Sequence, residues 1–147
     1  PGRDLDRLLA AGFSAIGSDV SAPFVERYRQ RGGRAECLLL DAVTIDTALG
    51  FEAVYSNKVL HHLNEAQLAS SLERQVEVSA PNSLLLHSFW RGDRVEVHHG
   101  MLFTYWDTEG LEGVLPAPLQ IRASGRYSEI WEDDSLWVLF GPTPTVP

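Results

Sequence analysis

Two carboxylates in this sequence stand where chemistry can be done. Asp19 and Asp41 each end a run that reads as a strand, and a third such run ends at Asn57. In open α/β sheets, ligands sit beyond the carboxyl ends of the strands, near the switch in strand order. Acids ending two successive strands therefore put two hydrogen-bond acceptors on one rim. That pair suits the two donor groups of an adenosine, the ribose diol and the exocyclic amine. Asn57 is followed by Lys58-Val59-Leu60-His61-His62-Leu63, which brings imidazoles to the same rim. His62 reads either as a residue facing a substrate or as a packed histidine at a helix entry. Asp19, two residues before Ser21, also fits the approach to a helix N-cap, and Asp41 also fits a turn.

Other chemistries fit less well. His61-His62 and His98-His99 are adjacent pairs whose side chains diverge in helix or strand, so neither converges on one metal ion. The single cysteine, Cys37, lies in the apolar run Cys37-Leu38-Leu39-Leu40 and reads as a buried small hydrophobe. It leaves no internal disulfide and no Cys-rich zinc site. The net charge of −8 and the pI near 5.0 oppose a phosphate backbone. The densest basic stretch, Arg27, Arg29, Arg31 and Arg34, is broken by Glu26 and Glu36 and reads as a solvated helix face. Nucleic acid is not expected as a partner. No apolar run approaches a membrane span and no signal peptide is visible, so a cytoplasmic protein without membrane contact is expected. Trp90, Trp106, Trp131 and Trp137 read first as packing residues. Trp90 and Trp106 flank an irregular segment and also suit a pocket wall.

The elements that must position these residues alternate between helical and strand patterns, as in a layered α/β domain. Leu5, Leu8 and Leu9 mark a helix closed by Gly12. Residues 13–17 read as a short strand ending at Ser18-Asp19. Ser21 caps a second helix carrying Phe24, Val25 and Tyr28, which stops at Gly32-Gly33. Residues 35–40 and 51–56 read as buried strands. Asn64 and Gln67 have capping-box spacing ahead of a helix whose stripe is Leu68, Leu72 and Val76. Pro81-Asn82 breaks the chain before a strand at 83–89. Residues 91–118 read as irregular, with one helix from Asp107 or Thr108 to Pro116. Strands at 126–131 and 136–140, joined by the turn Glu132-Asp133-Asp134-Ser135, read as an antiparallel hairpin. Residues 1–142 are expected to form one domain, and Pro142, Pro144 and Pro147 mark a tail covering 143–147.

In this order the motifs resemble those of class I S-adenosylmethionine (SAM)-dependent methyltransferases over residues 1 to about 142. Pro1-Gly2-Arg3-Asp4-Leu5 is similar to the tail of the first motif, whose usual form is a strand ending in an acid and a Gly-Cys-Gly-like turn. Gly17-Ser18-Asp19-Val20-Ser21 resembles the second motif, where the acid grips the ribose. Asp41-Ala42 resembles the third, where an acid and the next amide meet adenine. Residues 56–63, Ser56 through Leu63, resemble the fourth, beside the methionine part and the substrate pocket.

The resemblance implies an α/β, Rossmann-like sheet, mostly parallel with an antiparallel C-terminal hairpin, and helices on both faces. It implies SAM as cofactor, held by Gly2, Asp19, Val20, Asp41, Ala42 and Asn57. The acceptor is expected to be a small molecule, with His62 or His61 nearest to serve as base where it must lose a proton. The chain begins inside the first motif, so the central first strand of the sheet is expected to be missing. A chain so truncated is expected to transfer methyl groups poorly and to dimerise. Two other readings remain: a non-catalytic remnant or interaction module of this fold, and a nicotinamide-dependent oxidoreductase. Asp41-Ala42 and the terminal hairpin stand against the second, and no intact G-x-G-x-x-G is present.

Overall fold

The computed structural model describes residues 2–142, which fall in two compact units, Pro1–Thr47 and Ala48–Pro147. In the first, helix α1 (Arg3–Ala10) leads to strand β1 (Gly17–Asp19), helix α2 (Ala22–Gln30) and strand β2 (Cys37–Leu39). β1 and β2 pair in parallel, with Asp19 beside Leu39. β1 is shorter than expected because Phe13 is spent on ending α1: its N–H donates to Leu8 O, just after Gly12 turns the chain at φ +90°. The core is Val25, Tyr28 and Cys37, with Leu5 and Ala35 packed on it. Tyr28 is the centre of that packing. Its hydroxyl donates to Asp6 Oδ1 (3.0 Å) and accepts from the Ala35 N–H (3.3 Å), and the Arg31 guanidinium lies 4.8 Å over its ring.

The second unit is built on a four-stranded sheet of order β3-β4-β8-β7, from β3 (Phe51–Asn57), β4 (Ser79–Trp90), β7 (Leu119–Tyr127) and β8 (Ser135–Pro142). β3 and β4 are parallel; β8 runs antiparallel to both its neighbours, which gives the expected α/β class with its closing antiparallel hairpin. Helix α3 (Glu65–Glu77) starts with the expected capping box: Asn64 Oδ1 accepts from Gln67 N–H and Gln67 Oε1 from Asn64 N–H. Leu68 and Leu72 are fully buried. Val76 is only half-buried, and Gln75 takes the inner position instead. It can do so because it is paired with a buried histidine on the sheet: His87 Nε2 lies 2.9 Å from Gln75 Oε1. Leu85, Phe89, Val138 and Phe140 complete this inner face, together with Leu111 of α4 (Thr108–Val114). Each such side chain stabilises the unit by about 1.5–3 kcal/mol.

Three boundaries differ from expectation. Pro81-Asn82 lies within β4, accommodated by an Asn82 φ of +69°. β7 begins at Leu119 and ends at Tyr127, so Ile130 and Trp131 sit exposed in a loop rather than in a strand. That loop is organised by Asp134, whose carboxylate accepts from the N–H groups of Glu129, Ile130 and Trp131. Pro142 ends β8 and does not belong to the tail; 143–147 lie outside the described residues. The segment read as irregular contains an antiparallel hairpin, β5 (Val95–His98) and β6 (Met101–Thr104). Its two-residue turn, His99 at φ +51° and Gly100 at φ +79°, has the left-handed pair that matches strand twist.

Candidate functional site

On the first unit, Asp19 and Asp41 close adjacent parallel strands at their carboxyl ends, and Leu40 N–H donates to Asp19 O at 3.2 Å. Each carboxylate is partly committed to its own turn. Asp19 Oδ1 accepts from Ser21 N–H (2.8 Å) and Asp41 Oδ1 from Val43 N–H (2.7 Å). In each, Oδ1 shapes the loop, as the turn reading expects, and among the described residues Oδ2 accepts no such bond. Asp41 is exposed and Asp19 half-buried. Val20 is 67% exposed beside them, and Ala42 is half-buried. Two carboxylates on one rim are acceptors of the type that a ribose diol and an adenine amine need, so this pair of acceptors fits an adenosine. Gly2 caps α1 with φ +79°, and a Cβ there would run into the Tyr28 ring. Its glycine is required by helix entry and packing.

On the second unit, Asn57 ends β3, where its Oδ1 accepts from the Ser88 hydroxyl. The chain then turns sharply at Lys58 (φ +54°) into a 3-10 turn at Leu60–His62. His61 is buried, with rings of Phe103 at 5.4 Å and Trp90 at 6.4 Å. Burial pushes its pKa down to about 3, helped by the neighbouring His62 and Lys58, so its ring is neutral. His62 is half-buried, its ring 4.0 Å from that of His61 and edge-on to Phe103 at 4.8 Å. His62 Nδ1 lies 2.7 Å from Leu102 O on β6.

Lys58, the one lysine in the sequence, was not singled out from its type or spacing, yet it organises this end of the sheet. Its Nζ donates to Phe89 O and Ser135 Oγ, both at 2.9 Å, and lies 3.6 Å from Glu129. It sits 3.3 Å over the Trp90 ring. Desolvation lowers its pKa to about 8 against the opposing pull of Glu129 and Asp134. These bonds tie the tip of β3 to β4 and β8, and they fix the Trp90 ring. Trp106 is buried, while Trp131 (69% exposed) and Trp137 (37%) are surface residues rather than core. His98, in the other histidine pair, donates from Nε2 to Glu96. Among the described residues, no three His, Cys, Asp or Glu side chains gather as a metal site requires, and no helix is long and apolar enough to cross a membrane.

Parallel strands with acids at their tips, followed by an antiparallel closing hairpin, define the fold of the class I SAM-dependent methyltransferases, and solved structures share it. One is 1,6-didemethyltoxoflavin-N1-methyltransferase from Burkholderia thailandensis, solved with 1,6-didemethyltoxoflavin and S-adenosylhomocysteine. It is 19% identical, with a TM-score of 0.80 over 97% of this chain and 67% of that one. The glycopeptide N-methyltransferase MtfA with S-adenosylhomocysteine is 12% identical, with a TM-score of 0.79 over 97% of this chain and 79% of that one. N-methyltransferase NodS from Bradyrhizobium japonicum WM9 is 20% identical, with a TM-score of 0.67 over 88% of this chain and 66% of that one. No protein-family model and no curated protein sequence matches the chain.

Proposed function

We propose that this chain serves SAM-dependent methyl transfer to a small-molecule acceptor. The observation that carries the reading is the pair Asp19 and Asp41 at the carboxyl ends of adjacent parallel strands, each with Oδ1 accepting from its own loop and, among the described residues, no such bond to Oδ2. Three solved proteins of the same fold hold S-adenosylhomocysteine, which supports SAM as the cofactor here. When bound, the cofactor supplies an electrophilic sulfonium methyl, and the protein's work is to orient the acceptor and exclude water. Asp19 and Asp41 bind the adenosine, with Val20 and Ala42 beside them. Asn57 and the Trp90 ring, fixed by Lys58, line the rim of the second unit. His62 is the better-placed proton acceptor, being half-buried where His61 is fully buried.

Calorimetry with S-adenosylhomocysteine tests this directly. Asp19→Ala and Asp41→Ala should each weaken binding by about 1–3 kcal/mol, the loss of a charge-assisted hydrogen bond. Unchanged affinity in both variants overturns the assignment. A thermal-shift titration separates the cofactor classes, since a ligand that binds the folded state raises its melting temperature. Stabilisation by NAD with none by S-adenosylhomocysteine would replace the reading with an oxidoreductase one.

The proposal includes self-association. The sheet face opposite α3 carries Tyr55, Leu84, Leu86 and Trp137, each between 37% and 43% exposed on neighbouring strands. An apolar sheet face of this extent favours burial against a second surface, and a two-fold dimer is the simplest closed arrangement.

A further inference from the structure

His62 and His87 are held in opposite tautomers. A backbone carbonyl can only accept, so the 2.7 Å contact with Leu102 O puts a proton on His62 Nδ1 and leaves the lone pair on Nε2. At His87, Nε2 donates to Gln75 Oε1 (2.9 Å) and Nδ1 accepts from the Ser56 hydroxyl (2.8 Å). Both nitrogens of buried His87 are taken by these side chains, whereas His62 is half-buried and is held through Nδ1. The grip on His62 comes from three successive residues of β6. Leu102 supplies the carbonyl, Phe103 presents its ring to the imidazole at 4.8 Å and 75°, and Thr104 Oγ1 donates to Leu63 O at 2.9 Å. β5 stiffens the same hairpin through Glu96, which accepts from Arg94, His98 and Tyr105.

We propose that the β5–β6 hairpin arms His62. The Leu102 carbonyl selects the tautomer whose Nε2 takes the proton of a protic methyl acceptor, an amine or a hydroxyl. This deepens the methyl-transfer reading above and rests on it. In the step, the acceptor nitrogen or oxygen forms a bond to the methyl carbon. The carbon–sulfur pair stays on sulfur, and the acceptor's proton passes to Nε2. The Leu102 carbonyl then stabilises the imidazolium through the same Nδ1–H. Leu102 is a positioning residue that acts through its backbone, which is why its side-chain type carried no signal in the sequence.

Long-range proton–nitrogen NMR on the full chain, with no ligand present, reads the tautomers of its five histidines. The expected result is His62 protonated on Nδ1 and His87 on Nε2, with exposed His99 averaging between forms. The amide nitrogen of His62→Asn stands near the former Nδ1, so that variant keeps the Leu102 carbonyl shift while His62→Gln moves it. In a methyl-transfer assay, His62→Asn should lose ~10²–10⁴-fold in rate toward amines and hydroxyls with S-adenosylhomocysteine affinity unchanged. A His62 protonated on Nε2 or averaging like His99 overturns the proposal, as does His62→Asn transferring to an amine at the wild-type rate. Failure of S-adenosylhomocysteine to bind any form, with the expected tautomers present, overturns the methyl-transfer reading and the proton's source but leaves the tautomer assignment standing.

Discussion

Individual residues in this chain do double duty, and their local role can be tested apart from the functional one. Gly2, expected among the cofactor contacts, also has a local role, since its positive φ and the Tyr28 ring both favour glycine there. Gly2→Ala should therefore destabilise the first unit by about 1–3 kcal/mol through strain and overpacking, measured as a lower denaturation midpoint without ligand. An unchanged midpoint would mean that the glycine is needed for something other than packing. His61 and His87 make a second case. Burial holds both pKa values near 3, whereas an unfolded histidine titrates at its ordinary value near 6.5. Below about pH 6.5 the unfolded state binds protons that the folded state refuses, so stability falls as pH falls, down to about pH 3. Each histidine contributes a slope of up to ~1.4 kcal/mol per pH unit in that window. Urea unfolding at a series of pH values reads the slope. His87→Gln should flatten it, and a pH-independent midpoint between 6.5 and 4 would rule out burial of neutral rings.

At the scale of elements, the strongest local signals were the most faithfully realised. The Asn64–Gln67 box opens α3 with both of its bonds made. Asn64→Ala should cost ~1 kcal/mol of stability, visible as a fall of several degrees in melting temperature, and Asn64→Asp should recover most of it. The rim acids were legible for the same reason: an acid closing a short apolar strand is a pattern of adjacent residues. The β5–β6 hairpin was not read because its strands are four residues each and its alternation, Val95 and Val97 against Glu96 and His98, is too brief to stand out. The His99-Gly100 pair was the signal available for it. Gln75 displaced Val76 from the inner stripe because its partner, His87, lies on another element, and no helical periodicity carries that information. Lys58 was missed likewise: its partners Phe89, Glu129 and Ser135 are 31 to 77 positions away.

For the molecule as a whole, the proposed self-association concerns the apolar sheet face bearing Tyr55, Leu84, Leu86 and Trp137. Light scattering on the full chain should report a species heavier than 16.3 kDa, and Leu86→Glu should shift it toward the monomer while leaving the far-ultraviolet dichroism intact. A wild-type chain that stays monomeric at tens of micromolar would remove self-association from the proposal. Tyr28 has a consequence of another kind. One phenol ring joins the entry of α1, the exit of α2 and the approach to β2. Regions tied through one such anchor open together rather than piecemeal. The amide protons of Ala35, of Gly33 and of the last turn of α2 should therefore exchange with solvent deuterium at a common rate, and Tyr28→Phe, which removes the hydroxyl from both its bonds, should speed all of them by a similar factor.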